Sequence, residues 1–386
     1  MRRFLRMAGL SFILLITSAG CTDFVEPNQL AFVIGSGIDY AGDGMIEISH
    51  QIAIPSKLSG SSQGGGPSDS ESFIVVSAKG RNVFEANEKV QRKISRRLMT
   101  SHRTLVVISD ELAEKMDLNK MFDKLNRDPA NNQRDLLIMI KGSAKEFMKI
   151  KHPLEQLSSI ATNKELLING WNHYSIRQFM IDYAAEGTRA VLPFLQIDNN
   201  REEKDKVHLV LLSGYAVLNK QLKIKGILND SEGDRAVWMA GRGTFQPLTI
   251  PWKEGNGRLS FRLTHLERQI HLANGKNHGN IQMTVKAQAY LLDNTTELDM
   301  SNVNNMVMVK KYLDERIQKD MQVTFNSIQQ WGPDIFGIGE YYHRKHPYWW
   351  KSQRDDWDEN FKKINVSIKA NILLRSTGTS GGQLND

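Results

Sequence analysis

Ile364-Asn365-Val366-Ser367-Ile368-Lys369-Ala370-Asn371-Ile372-Leu373-Leu374 places apolar side chains at every even position and, up to Asn371, polar ones between them. Successive strand residues point to opposite faces, so this run predicts a strand with one buried face. A strand of that kind needs a partner layer. The longest helical pattern of the chain, from about Val303 to Trp331, lies upstream and supplies it. Leu259 to Leu272 and Ile281 to Leu292 read as antiparallel strands, Val207 to Leu218 as a further strand, and Ser231 to Ala240 as a helix. The second half, 207–375, is therefore expected to be an α+β domain with a long helix laid across an antiparallel sheet. The Gly/Ser-rich tail 376–386 lacks the apolar content to pack and is expected to be disordered.

Working toward the N-terminus, Asn-Asn-Arg-Glu-Glu-Lys-Asp-Lys at 199–206 is polar throughout and reads as a linker. Before it, 21–198 alternates strand and helix signals and predicts an N-terminal α/β unit. Leu30 to Ile34 and Met45 to Ile54 read as a hairpin, with Gly35-Ser-Gly37 and Tyr40 to Gly44 as turn residues. From Ser56 to Ser72 the chain is Ser/Gly-rich and is expected to be a mobile loop. Phe73 to Ala78, Leu105 to Ile108 and Leu136 to Ile140 read as strands. Val83 to Leu98, Glu111 to Met116, Ser143 to Ile150, Pro153 to Leu167 and Ser175 to Ala185 read as helices, with Ser109-Asp110 as a cap. The whole is expected to be a multidomain α+β protein with mixed and antiparallel sheets and packed helices.

The first twenty residues run from a basic start with Arg2, Arg3 and Arg6, through an apolar stretch from Met7 to Thr17, to Ser18-Ala19-Gly20. That order is a secretory signal. The apolar run is too short to span a bilayer, which needs about 20 predominantly apolar residues. The chain's one cysteine, Cys21, directly follows the small residues and resembles a lipobox cysteine, with Ser18 where Leu is commoner. Cleavage at 1–20 and lipidation of Cys21 are the expectation. A single cysteine forms no intramolecular disulfide, so stability rests on core packing.

Loss of the signal lowers the formal net charge from +7 to +4, with both signs interspersed. That favours proximity to anionic lipid headgroups and argues against nucleic acid as a partner. The residue patterns that could carry chemistry are incomplete. Gly35-Ser-Gly37 lacks the third glycine of a dinucleotide-binding turn. His343 and His346 lack further ligands for zinc. Asp355, Asp356, Asp358 and Glu359 read as a solvated charge run rather than an acid/base pair. No catalytic residue, metal site or cofactor is implied. More unusual is the aromatic density from Trp331 to Phe361, which reads either as an interaction surface or as a satellite core in which Trp349, Trp350, Trp357 and Phe361 pack on the long helix.

Motifs spread along the chain resemble the Ger(x)C family of spore germination lipoproteins, the C subunits of nutrient germinant receptors. They begin with Gly20-Cys21-Thr22-Asp23, Glu26 and Ala31 to Asp39, with Thr22 where the family usually has Trp. They continue through Gly80, Glu85-Ala86, Ser101-His102, Leu105 to Ser109, Glu111 to Ala113, Arg127-Asp128 and Gly142 to Lys145. They end with Gln329-Gln330, Asp334 to Gly337, Gly339-Glu340, His343 to Lys345, Trp350, Trp357, Phe361, Arg375 and Gly378.

The resemblance implies a non-enzymatic, lipid-anchored component of a receptor complex on the outer face of the spore inner membrane, acting with two integral-membrane partners of the A and B types. It carries over no catalytic or ligand-contacting residue. The segment Asp334 to Trp357 is the expected partner surface, with Tyr341, His343 and Arg344 as its contact residues. The alternative is a solute-binding lipoprotein that captures a small nutrient. Such proteins have two similar lobes around a cleft, and the two halves here are unlike.

Overall fold

A computed structural model of the chain describes residues 25–58, 72–119, 121–122, 132–170, 174–198, 210–252, 257–273 and 278–376. The signal 1–20, Cys21, most of the Ser/Gly segment, the polar run 199–206 and the tail beyond Ser376 lie outside them.

The hairpin forms from β1 (Leu30–Tyr40) and β2 (Ile46–Ala53), and β3 (Phe73–Gly80) adds to its edge. A short strand, β4 (Arg97–Met99), pairs parallel with the start of β1. On the other side of β1 lie β5 (Leu105–Ser109) and β6 (Leu136–Ile140), both parallel to their neighbours. Leu-Val-Val-Ile and Leu-Leu-Ile-Met-Ile are buried at every position, as strands covered on both faces must be. Val106, Ile108, Leu137 and Met139 pack toward α1 (Val83–Gln91), α2 (Asp110–Lys115) and, beyond the two-residue ladder β7 (Lys151–His152) and β8 (Gln156–Leu157), α5 (Ile176–Ala184). Leu105, Val107, Leu136 and Ile138 face the opposite way, onto α3 (Ala144–Lys149) and α4 (Ser158–Ile168).

This sheet continues past the polar run. Parallel to β6 lies β9 (Val191–Ile197), which pairs antiparallel with β10 (Val210–Leu218), and β11 (Ile224–Leu228) forms the edge. By hydrogen bonding, residues 210–228 belong to the first sheet. After α6 (Asp230–Met239) the chain builds a second sheet in the order β12 (Phe245–Pro251), β13 (Arg258–Leu272), β14 (Asn280–Asn294), β15 (Asn365–Ser376), with α7 (Val303–Trp331) against it. Val309, Leu313, Ile317, Met321, Phe325 and Ile328 form the buried stripe of α7, at the spacing of one helix face. They join Phe261, Met283, Val285, Ile368 and Ile372 in a core that also includes the α3 side of the first sheet. The fold is α+β.

Four local expectations need correction. The second sheet is mixed, because β15 pairs parallel with β14. Parallel neighbours require a crossover, and α7 is that crossover. Its 29 residues reach about 44 Å, close to the roughly 50 Å that the 15 residues of β14 cover. The helix from Val83 ends at Gln91 rather than Leu98, where the Gln91 side chain donates to Arg96 O at 2.9 Å and accepts from Leu98 N at 2.8 Å, turning the chain into β4. The helix expected from Pro153 begins at Ser158, since Pro153 lies between β7 and β8.

Gly35 and Gly37 are not turn residues. They sit inside β1, and the turn is made at Gly42, Asp43 and Gly44, all with positive φ. A Cβ on Gly35 would lie 1.8 Å from Ser159 Oγ, and one on Gly37 would lie 2.9 Å from Ala144 O. These glycines let α3 and α4 lie directly on the strand. The obstruction at Gly37 is backbone, which cannot rotate away. Gly37→Ala should therefore lower unfolding free energy by about 1–3 kcal/mol, read as a lower denaturant midpoint at unchanged m-value.

Candidate functional site

The segment after α7 folds around Asp334, whose side chain has no exposure to solvent. Gly332, at φ +102°, ends α7, and Gly337, at φ +69°, turns the chain into α8 (Ile338–Lys345). Between them Asp334 Oδ1 accepts from Phe336 N at 3.0 Å, and Oδ2 accepts from Gly339 N at 2.7 Å and Trp357 Nε1 at 3.1 Å. Burial raises the carboxyl's pKa, and the donated hydrogen bonds with the nearby Arg189 oppose that rise. One side chain thus ties the start of α8 to α10 (Trp357–Phe361), which follows the short α9 (Pro347–Lys351).

The same loop locks onto the first sheet. Arg189, two residues before β9, donates its backbone N–H to Asp334 O at 2.8 Å and pairs through Nε with Asp358 at 2.8 Å. Gly187 lies against Gly339 so closely that a Cβ on Gly187 would sit 2.3 Å from Glu340 N. Glu186 accepts from Trp350 Nε1 at 3.3 Å and pairs with Arg354 at 3.2 Å.

Most of the aromatic density is core. Phe336, Tyr342, Trp350, Trp357 and Phe361 are buried, while Tyr348 is 90% exposed. Tyr342 donates its hydroxyl hydrogen to His278 O, and the half-buried Trp349 stacks on His278 at 5.1 Å and 11°. Of the three residues expected at the partner surface, all on α8, His343 and Arg344 are exposed and Tyr341 is half-buried against the core. His343 stacks on Trp350 at 6.2 Å and lies 3.8 Å from Glu340. Arg344 lines a cavity of about 200 Å³ together with Asp182, Thr188, Arg242 and Arg268, where Arg242 pairs with Asp182 at 2.6 Å and Arg268 donates to Phe336 O at 2.5 Å.

His346 meets His278 rather than His343, and no group of three metal-ligating side chains converges among the described residues. In the acidic run, Asp358 pairs with Arg189, Glu359 with Lys362 and Asp355 with Arg354. Cys21 lies outside the described residues.

A polar chain in the first sheet had no local sequence signal. Ser36 Oγ shares a hydrogen bond with His50 Nδ1 at 2.9 Å, and His50 Nε2 shares one with Asn87 Oδ1 at 2.9 Å. Arg103 Nη1 donates to Ser36 Oγ at 3.4 Å and its Nε pairs with Asp135 at 2.6 Å. Burial pushes the Asp135 carboxyl up to about 6, against the pull of Arg103. The order hydroxyl, imidazole, amide has the form of an activated nucleophile. Ser36 is only 2% exposed and already engaged by Arg103, so the chain joins β1, β2, α1 and the loop before β5. Only the cross-strand register Ser36↔His50 brings the first pair together.

Asp334→Ala should strand three buried donors and cost about 3 kcal/mol or more. Asp334→Asn should cost less, since its one carbonyl oxygen still satisfies one side. Denaturant unfolding followed by tryptophan fluorescence checks both, through the Trp357 indole that Asp334 holds.

Residues 23–197 match the family described as spore germination protein N-terminal domain, and residues 213–378 match spore germination B3/GerAC like, C-terminal. The chain is 26% identical over 391 residues to spore germination protein KC of Bacillus subtilis (strain 168), covering 96% of this chain and 95% of that protein. It is 18% identical over 379 residues to spore germination protein A3 of the same organism, covering 96% of this chain and 97% of that protein. In fold it resembles the crystal structure of the GerBC protein, with a TM-score of 0.55 at 17% identity, covering 92% of this chain and all of that one. Two matched domains that together take in nearly all of residues 23–378, in the order in which the motifs run from Asp23 to Gly378, place the chain in the Ger(x)C family of spore germination proteins.

Proposed function

We propose that this chain is the C-type subunit of a nutrient germinant receptor, held by acyl chains on Cys21 at the outer face of the spore inner membrane. It acts there through protein contacts with the integral-membrane A- and B-type subunits, without catalysis of its own. The observation that carries this reading is the pair of family matches, supported by relatives along the whole chain that are themselves named spore germination proteins. No helix of the described residues is long and apolar enough to cross a membrane. A lipid on Cys21 is the attachment that the signal sequence supplies, and a second acyl chain makes such attachment stable.

The architecture suits a contact role. Asp334 and the Gly187–Gly339 approach fix α8 on the core, so His343 and Arg344 stand on a rigid scaffold and lose little freedom on binding. Tyr341 adds apolar area beside them. Replacing Tyr341, His343 or Arg344 by Ala should slow nutrient-triggered germination while leaving the amount of folded protein unchanged, and the A- and B-type subunits should co-purify less well with the variants. Normal germination in all three would remove this surface from the proposal.

The anchor has its own test. Cys21→Ala should block acylation and release or misplace the protein, measured by fractionation of spore membranes. Unchanged membrane retention together with unchanged germination would contradict it.

A further inference from the structure

The end of the first sheet where the chain enters the fold carries charge that nothing in the fold neutralises. Arg92, Lys93, Arg96 and Arg97 fall within six residues between α1 and β4, and all four are exposed. Among the described residues none has a carboxylate within ion-pair distance. From Asn87 to Leu98 the sequence holds one carboxylate, Glu88. Some basic side chains elsewhere are paired, such as Lys89 with Glu85 and Lys164 with Glu155, and others, such as Lys220, Lys319 and Lys351, stand singly on the surface. What sets this segment apart is four exposed cations within six residues, a density that favours an external counter-charge.

Beside these cations a cavity of about 370 Å³ opens between the sheet and the segment after α1. It is lined by Ala31, Ile52, Ile74 and Ile94 together with Lys93 and Arg96, and Lys93 Nζ donates to Ser77 O on β3 at 2.6 Å. Ile74, on the edge strand β3, is 40% exposed. On the other face of β3, Lys151 borders a second cavity with Phe73 and Val75. Apolar surface edged by lysine and arginine is the pattern that lies on a membrane interface, with apolar groups toward the acyl boundary and cations among the phosphates.

The position of this end relative to the anchor is set by the chain. Arg97 pairs in register with Leu30 at the start of β1, and Cys21 lies nine residues before Leu30. Nine residues reach at most about 30 Å, so an acyl group on Cys21 holds the basic segment close to the bilayer. The tether lets the segment come within about 8–10 Å of an anionic leaflet, the range over which its field acts at physiological salt.

We infer that the face formed by Arg92, Lys93, Arg96, Arg97 and the adjoining apolar cavity is a second membrane contact, docking on anionic lipid headgroups. The inference rests on the reading of Cys21 as the anchor, but its test does not use the anchor. The fold described here starts at Val25, so the mature chain expressed from Thr22 contains all of it and carries no acyl group. Co-sedimentation of that chain with phosphatidylcholine vesicles, with and without added phosphatidylglycerol, reads the contact directly.

Binding should appear with phosphatidylglycerol, fall as salt is raised, and weaken about tenfold or more in the double variant Lys93→Glu/Arg96→Glu. The reversed pair Lys362→Glu/Lys363→Glu, away from this end, should bind as the unmodified chain does. Thermal unfolding of each variant checks that the fold persists, since Lys93 also donates to Ser77 O at 2.6 Å and Lys362 pairs with Glu359 at 2.8 Å. No phosphatidylglycerol-dependent binding, or equal binding by the Lys93/Arg96 variant, overturns the inference. Failure of the anchor reading would show instead as a Cys21 without acyl chains in protein purified from spores, read by mass spectrometry, a result on which the vesicle assay does not depend.

Discussion

A buried carboxylate organises the C-terminal third of this protein. Removing a charged group from water costs several kcal/mol, and Asp334 meets that cost with donors from Phe336, Gly339 and Trp357. Its own carbonyl oxygen takes the N–H of Arg189. Without it, two backbone donors at the start of α8 and the Trp357 indole of α10 would face apolar surroundings. With it, α7, α8, α10 and the loop before β9 share one fixed point. The glycines nearby follow from the same constraint: Gly337 reverses the chain at positive φ, and Gly187 and Gly339 let two backbones touch where any side chain would separate them. The aspartate and glycines of the motif from Asp334 to Gly339 are thus explained by how two halves of the molecule are fastened.

That fastening changes what a domain means here. The two family matches part between residues 197 and 213, where the sequence is polar. The strands on either side of that gap, β9 and β10, are hydrogen-bonded neighbours in one sheet. The apolar core does not part there either, because residues of β5 and β6 belong to the same cluster as α7 and β15. Similarity between sequences divides the chain by its history, whereas hydrogen bonding and packing join the pieces. Arg189, Gly187 and the shared core are the contacts that join the first sheet to the segment carrying α8.

What the sequence shows and hides follows the range of the interactions. The helix Val303–Trp331, the alternation of β15, the serine cap at Ser109 and the helices beginning beside Ser143 and Ser175 were legible because their signals lie within a few residues. The strand β9 was not, since Pro193 reads as a breaker. It is tolerated because the pairing with β6 begins only at Phe194. The strand β12, with Pro247 and Pro251, survives as an edge for the same reason. The direction of β15 is invisible in its alternation, which is the same for a parallel and an antiparallel partner. Gly35 and Gly37 read as a turn because the residues that require them, Ser159 and Ala144, lie more than a hundred positions away. At the α8 surface the sequence identified the segment, but only the structure separates exposed His343 and Arg344 from half-buried Tyr341 and from buried Tyr342 next to it.

A single acyl tether limits how far a domain strays from a bilayer but leaves it free to rotate. If Cys21 carries the proposed anchor, a second point of attachment would remove most of the rotations that turn α8 toward or away from the proposed membrane partners. The entropy lost in docking would then be met by lipid contacts rather than by the protein interface, and a small surface on α8 would suffice for a specific contact. The basic segment would suit this because it adjoins the start of β1, the first strand after Cys21, and β1 is itself bonded to β2, β4 and β5. From β1 the ladder runs unbroken through β5 and β6 to β9, and Arg189 and Gly187 in the loop before β9 bond and pack against the segment that leads into the helix carrying His343 and Arg344.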